Sequence, residues 1–291
     1  MEGICALCGQ KKELQLSHIV PKFVIRHLKK TSIGSIRAQN PNKTVQDGEK
    51  HYMLCHDCEE LFSASEKRFA DKVFYPYLKN HETEFDVDEK IYYFLTSLSW
   101  RSLYLDITDF VKDGSLKRDV LECMIDSEGI MRDFLLEKRA DLDKIEHHIF
   151  FFDRVQSSDA PNSEGINIIV HRAVQSYSAF LDGTIFTISN LMGILIVTLY
   201  QKDKRESWSG TQVYNKPGKL YMTNQNVTSL AMDEINYWCE QARKMRQELS
   251  PSEYQKIVQR LKDTEADIQN YPIYQDVVDD VNLQTDTEVK N

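Results

Sequence analysis

The sequence predicts an α+β fold: a metal-bound module at the amino terminus, then helices, then a mixed or antiparallel sheet of about five strands, then helices again. Three observations lead there. Two Cys-x-x-Cys pairs, Cys5/Cys8 and Cys55/Cys58, stand in the first quarter of the chain. Between Asp86 and Asp141 apolar residues recur at helical spacing. Between residues 146 and 223 β-branched and aromatic runs take over. The 291 residues divide accordingly into a zinc-binding module over 1–80, an α+β domain over 81–270 and an acidic mobile tail over 271–291.

The first module closes on Val73-Phe74-Tyr75-Pro76, where Pro76 is expected to end a helix. In the second, Ile91, Phe94, Leu95, Leu98 and Leu105 mark one helix and Val120, Met124, Phe134 and Leu135 another, within 86–141. Strands are expected at Ile149 to Phe152, Ile166 to Val170, Tyr177 to Leu181 and Thr184 to Ile188. Asp182-Gly183 supplies the positive φ of a tight hairpin turn. Met192 to Tyr200 does not alternate and reads as a central strand covered on both faces. Helices return over 229–268, the second opened by Ser250 as cap, Pro251 in the first turn and Glu253 completing a capping box. Asp276, Asp279, Asp280, Asp286 and Glu288 face a single Lys290 in the tail.

Charge is unevenly placed. Against a net charge of −9, residues 1–45 hold Lys11, Lys12, Lys22, Arg26, Lys29, Lys30, Arg37 and Lys43 beside only Glu2 and Glu13. A basic lobe on an acidic body suits a local phosphate-binding face and excludes a protein that coats nucleic acid with its whole surface. The longest apolar run, Met192 to Leu199, falls well short of the roughly 18 residues that span a membrane. Met1-Glu2-Gly3-Ile4-Cys5 shows no export leader, so reduced thiols in a cytoplasmic setting are expected.

Two Cys-x-x-Cys knuckles complete the tetrahedral sulfur cage that zinc prefers, and four sulfurs leave no place for a catalytic water. The alternative, a redox dithiol, usually appears once and in a βαβ setting that these flanks do not offer. Cys123 and Cys239 sit in apolar helical patterns and read as small buried hydrophobes. The second pair runs directly into a segment in which Phe62, Phe69 and Val73 share a helical face, so the ion would clamp a knuckle to a helix's first turn, as in treble-clef modules.

The insertion between the pairs opens with Ser17-His18-Ile19-Val20-Pro21, and the second pair reads Leu54-Cys55-His56-Asp57-Cys58-Glu59. In this order the first quarter of the chain resembles the HNH, or His-metal finger, nuclease superfamily. The rest is similar only to uncharacterised bacterial proteins. The resemblance implies a treble-clef module of HNH type around a structural Zn2+. It also implies a metal-dependent endonuclease that hydrolyses phosphodiester bonds of nucleic acid, here DNA, as an effector of bacterial antiviral defence. His18 matches the histidine that takes a proton from the attacking water, and a Mg2+ or Mn2+ ion would bind the phosphate. Two family positions differ. Ser17 replaces the acidic ligand before the histidine, while Glu59 replaces the asparagine after the last cysteine. Glu59 would then hold the catalytic ion, joined by Asp47 or Asp57.

Each reading has a plainer rival. His18 beside Ile19 and Val20 could be a buried ring, Glu59 an acidic residue favoured by a helix dipole, and Lys22, Arg26, Lys29 and Lys30 a solvated cationic face instead of a phosphate-binding one. His27 and His51 read as surface histidines, and His171-Arg172 and Trp208-Ser209-Gly210-Thr211 as packing and turns. Two other functions stand beside the nuclease: an inactive zinc adaptor for nucleic acid or a protein partner, and a ligand-sensing regulator built on the sheet. The acidic body suits a protein partner or self-association.

Overall fold

A computed structural model describes residues 1–38, 40–155 and 164–289, with the backbone alone for 284–289. The amino-terminal sheet has the order β1 (Glu2–Ile4), β2 (Lys11–His18), β3 (Lys50–Cys55), antiparallel throughout. Helix α1 (Lys22–Thr31) leaves the end of β2, and α2 (His56–Phe69) follows β3 without a linker. A bulge shifts the β2–β3 register between Gln15 and Leu16, so Leu16 lies exposed while Ser17 turns inward.

The helix expected to stop at Pro76 does not. A π turn, Ala70–Phe74, joins α2 to α3 (Tyr75–Asn80), and Pro76 sits in the first turn of α3, where its missing N–H costs little. His81 ends the helix in the left-handed conformation, φ 53°.

Helix α4 (Glu89–Asp113) is capped by Asp88, whose carboxylate accepts the Ile91 N–H at 3.0 Å, and it packs beside α5 (Arg118–Leu135). The strands β4 (Glu84–Val87) and β5 (Glu146–Phe151) flank these helices in sequence. The remaining strands are β6 (Val174–Leu181), β7 (Thr184–Leu191), β8 (Ile194–Gln201), β9 (Ser207–Ser209), β10 (Gln212–Val213), β11 (Gly218–Tyr221) and β12 (Asn226–Thr228). Five of them form one antiparallel sheet in the order β10-β5-β8-β7-β6, as expected in size, and two ribbons pair β4 with β11 and β9 with β12. Helix α4 covers one face of the large sheet. The other carries Phe186, Ile188, Leu195 and Val197 against Ile235 and Trp238 of α7 (Glu234–Gln247).

Asp182-Gly183 forms the expected hairpin turn, with φ 44° and 92°. A second such turn was hidden in an apolar run: Met192-Gly193, φ 60° and 93°, links β7 to β8, so the central strand begins at Ile194. The strand expected at Ile166 to Val170 is instead α6 (Ile166–Arg172). Its first N–H groups are satisfied from far away, because Asp280 accepts from the Asn167 and Ile168 amides at 3.0 Å each.

That contact also corrects the expected mobile tail. Residues 273–289 form α9 (Ile273–Val289), and Asp276 and Asp280 are buried. Asp276 lies 3.0 Å from His171 Nδ1 and forms an ion pair with Arg154 at 3.4 Å. Burial tends to raise the Asp280 carboxyl, which the Asn167 and Ile168 donors partly offset. The side chains of Asp286, Glu288 and Lys290 lie outside the described residues. Ser250 caps α8 (Pro251–Asp263) as expected, the Glu253 N–H donating to Ser250 Oγ at 3.3 Å, but the expected capping box does not close: the Glu253 carboxylate pairs with Arg37 and Lys256, and the Ser250 N–H donates to Asn42 Oδ1.

The expected boundary near residue 80 is no break in the core. One apolar cluster runs from Cys5, Leu54 and Phe62 through Phe94 and Trp100 to Ile149 and Ile194. Phe69 of α2 stacks on Phe94 of α4 with centroids 4.2 Å apart and an interplanar angle of 19°. The cysteine module and the sheet therefore solidify around α4 together.

Candidate functional site

The four cysteines of the two pairs come together. Their sulfurs all lie within 4.8 Å of one another, and the Cys8 and Cys55 sulfurs are 4.0 Å apart. Sulfurs about 2.3 Å from one ion stand roughly 3.8 Å apart along a tetrahedron's edges, so this cage fits a single metal ion such as zinc. Local structure explains the convergence. Cys5 and Cys8 flank a tight knuckle between β1 and β2, closed by the Gly9 N–H donating to the Cys5 carbonyl at 2.9 Å; Gly9 takes φ +71°, which a glycine adopts freely. Cys55 is the residue before α2, and Cys58 lies on its first turn.

The cage is also electrically prepared. Burial works to raise the Cys5 thiol, but donors from the Cys8, Cys55 and Leu7 backbone outweigh it and bring it down to about 7. The Cys55 N–H points at Cys5 Sγ at 3.3 Å. Cys58, in contrast, is driven up by burial and by its neighbouring thiols. Four thiols this close cannot all ionise alone, and a bound dication removes that conflict.

His18 ends β2, paired across the strands with Lys50. Its Nε2 lies 3.1 Å from Asp47 Oδ2 without an aligned hydrogen bond, and the atom is buried. Asp47 is held by Lys50 at 3.1 Å and by the Gly48 N–H at 2.9 Å. Burial opposes its ionisation, yet these donors and His18 hold the carboxyl well below the usual carboxylate range. Ser17 Oγ and Glu59 Oε1 are likewise buried without a hydrogen-bond partner. Ser17 Oγ and Glu59 Oε1 are thus buried polar atoms left unused, which is expensive unless something polar fills the space beside them.

The expected residues separate into those the fold assembles and those it does not. Asp57 is 72% exposed and pairs with Lys12 at 2.7 Å. Among the described residues the sulfur cage is the one grouping of three or more His, Cys, Asp or Glu donors, so Glu59, Asp47 and His18 do not converge as a ready-made triad. Lys22, Arg26, Lys29 and Lys30 are exposed on α1, with Lys29 also donating to the Gln46 carbonyl at 2.8 Å. His27 is not the surface histidine expected. Its ring packs edge-on against Phe74 and Tyr75, and burial lowers it to about 4. His51 is exposed beside Glu49 at 2.8 Å. Cys239 is buried in the core, and Trp208 stacks against His148, as packing readings require.

Sequence reasoning missed Arg101 and Glu66. Arg101 is charged yet almost wholly buried, reaches Glu66 at 3.0 Å and donates to the His18 carbonyl at 3.0 Å. The available signal was a lone arginine after Trp100 in an otherwise apolar helical stretch.

Among the described residues no helix is long and apolar enough to cross a membrane. No known family model, curated protein or solved structure matches the chain.

Proposed function

We propose that the protein is a metal-dependent endonuclease of HNH type, acting on the phosphodiester bonds of DNA, with a structural zinc ion in the four-cysteine cage. One observation carries the reading: His18 closes β2 of the strand pair that runs into the cage, its Nε2 3.1 Å from Asp47 Oδ2, and Ser17 Oγ and Glu59 Oε1 are each buried without a hydrogen-bond partner. Knuckle, strand pair and helix follow one another in treble-clef order, and the motif order agrees. Glu59 is a hard oxygen donor suited to Mg2+ or Mn2+. Such ions often take only one or two protein carboxylates and fill the remaining positions with water and substrate phosphate. When bound, the ion stabilises charge on the scissile phosphate and leaving oxygen. His18 accepts a proton from water, Glu59 holds the cation, and the exposed basic face of α1 takes the flanking phosphates.

A second reading keeps the fold and removes the chemistry. The lack of a converged second donor triad among the described residues favours a zinc-supported nucleic-acid adaptor. Plasmid nicking in Mn2+ or Mg2+ separates the two. The nuclease reading expects metal-dependent nicking that falls at least about a hundredfold in His18→Ala, the usual scale of general-base loss, and strongly in Glu59→Gln. Parent-like cleavage by His18→Ala, or no cleavage with any divalent ion, overturns it.

A further inference from the structure

Arg101 is an unusual guest in its helix. It lies on α4, its side chain 2% exposed, among residues that otherwise make the core beneath the large sheet. Its guanidinium passes the Phe62 ring at 5.3 Å and touches three elements, with hydrogen bonds from Nε and Nη1 and an ion pair through Nη2. Nε donates to the Ser97 carbonyl of its own helix at 3.2 Å, Nη2 lies 3.0 Å from Glu66 Oε1 on α2, and Nη1 donates to the His18 carbonyl at 3.0 Å. A methionine would fill the same space against Phe62 without burying a charge, so packing alone does not account for an arginine here.

The third of those bonds falls where a strand normally frays. His18 is the last residue of β2, and the chain then turns through Ile19-Val20-Pro21 into α1. The peptide joining His18 to Ile19 is held from both sides: the Ile19 N–H donates to the Glu49 carbonyl at 3.1 Å, and Arg101 takes the His18 carbonyl. Fixing both ends of that peptide holds the His18 backbone in place and so restricts the positions its imidazole can reach through its χ torsions. A planar guanidinium presents separate nitrogens to Glu66 and to the carbonyl in a fixed fork, whereas an ammonium must serve both from one nitrogen.

We propose that Arg101 is a positioning residue for His18, reaching from α4 into the cysteine module, so that the nuclease site is complete only when the second part of the chain is docked. This inference rests on the nuclease reading above. It also gives the downstream region a part in the site that the amino-terminal motif does not supply.

The test uses the full chain and compares Glu66→Gln with the double variant Glu66→Gln/Arg101→Met, which avoids leaving a lone carboxylate beside an apolar side chain. Zinc content and unfolding midpoint are measured alongside single-turnover nicking of plasmid in Mn2+. A loss of at least about tenfold in kcat is expected with KM within about twofold, since small misplacements of a base cost rate before they cost binding. Arg101→Lys should recover part of it. In a His18→Ala background the arginine change should cause no further loss. Unchanged kcat, or an equal loss without His18, overturns the proposal. Arg101→Lys keeps the charge in place and decides the matter where the double variant does not fold. If the parent itself cleaves no nucleic acid, the nuclease reading falls separately. The positioning role is then decided by the His18 ring and Ile19 amide NMR signals, which shift in the Arg101 variants if it holds and stay put if it does not.

Discussion

Replacing Phe94 by alanine tests whether the cysteine module and the sheet are one cooperative body. Phe94 and Phe69 are both fully buried and stacked at 4.2 Å, one on α4 and the other on the helix that bears Cys58. Truncating a buried phenylalanine costs about 3–5 kcal/mol, which includes about 0.5–1.5 kcal/mol of ring pairing. With a urea slope of about 3 kcal/mol per molar or more, the unfolding midpoint falls by roughly 1 M. The assay follows tryptophan fluorescence and release of bound metal to a chelating dye in the same titration. Both traces should move together by that amount, because the helix that loses its partner carries Cys58 and begins directly after Cys55. Metal release on the parental curve while fluorescence shifts, or two separated transitions, would refute the shared core.

Acid should weaken the fold through two buried histidines. Burial lowers His147 to about 3, and it lowers His148 to about 4 against the opposing pull of Glu146. The unfolded chain takes up these protons near pH 6.5, so their contribution is complete above that pH. It is lost as pH falls towards 4, by up to about 1.4 kcal/mol per unit for each ring. Urea midpoints should decline from pH 6.5 downward and His147→Gln should flatten that decline; an unchanged slope contradicts it. Gly193→Ala should cost about 2–3 kcal/mol, since a Cβ would meet His171 Cδ2 at 2.7 Å and Tyr77 Oη at 2.8 Å at φ +93°. Gly114→Ala, at φ +61° in open space, should cost only about 1 kcal/mol, and thermal melts of the pair would show equal losses if the close approach were unimportant. Neutralising Lys22, Arg26 and Lys30 singly should weaken DNA binding and lower the log–log salt slope by about one each. Slopes identical to the parent's would remove α1 from the interface.

What could be read in advance depended on how local the cause was. The cage was legible because tetrahedral thiolate ligation imposes the Cys-x-x-Cys spacing, and the Asp182-Gly183 hairpin because its turn residues advertise positive φ. The Met192-Gly193 turn was concealed: methionine at φ 60° is unexpected, and the flanking residues are uniformly buried. Helix α6 was misread because its cap, Asp280, lies 113 residues away, and the same aspartate, apparently a solvated tail charge, is buried by that partnership. Of the candidate site, His18 and Glu59 were nameable from the motif. The bulge that turns Ser17 inward and the arginine that reaches His18 from α4 are consequences of packing between distant segments, which no local pattern carries.

The central claim is that four sulfurs around one ion order the lobe that presents His18. X-ray absorption at the zinc edge, on protein of measured metal content, addresses it most directly. About one zinc per chain is expected, with four sulfur neighbours at about 2.3 Å and no nitrogen or oxygen neighbours. Zinc far below one per chain, or a first shell containing nitrogen or oxygen, would contradict it.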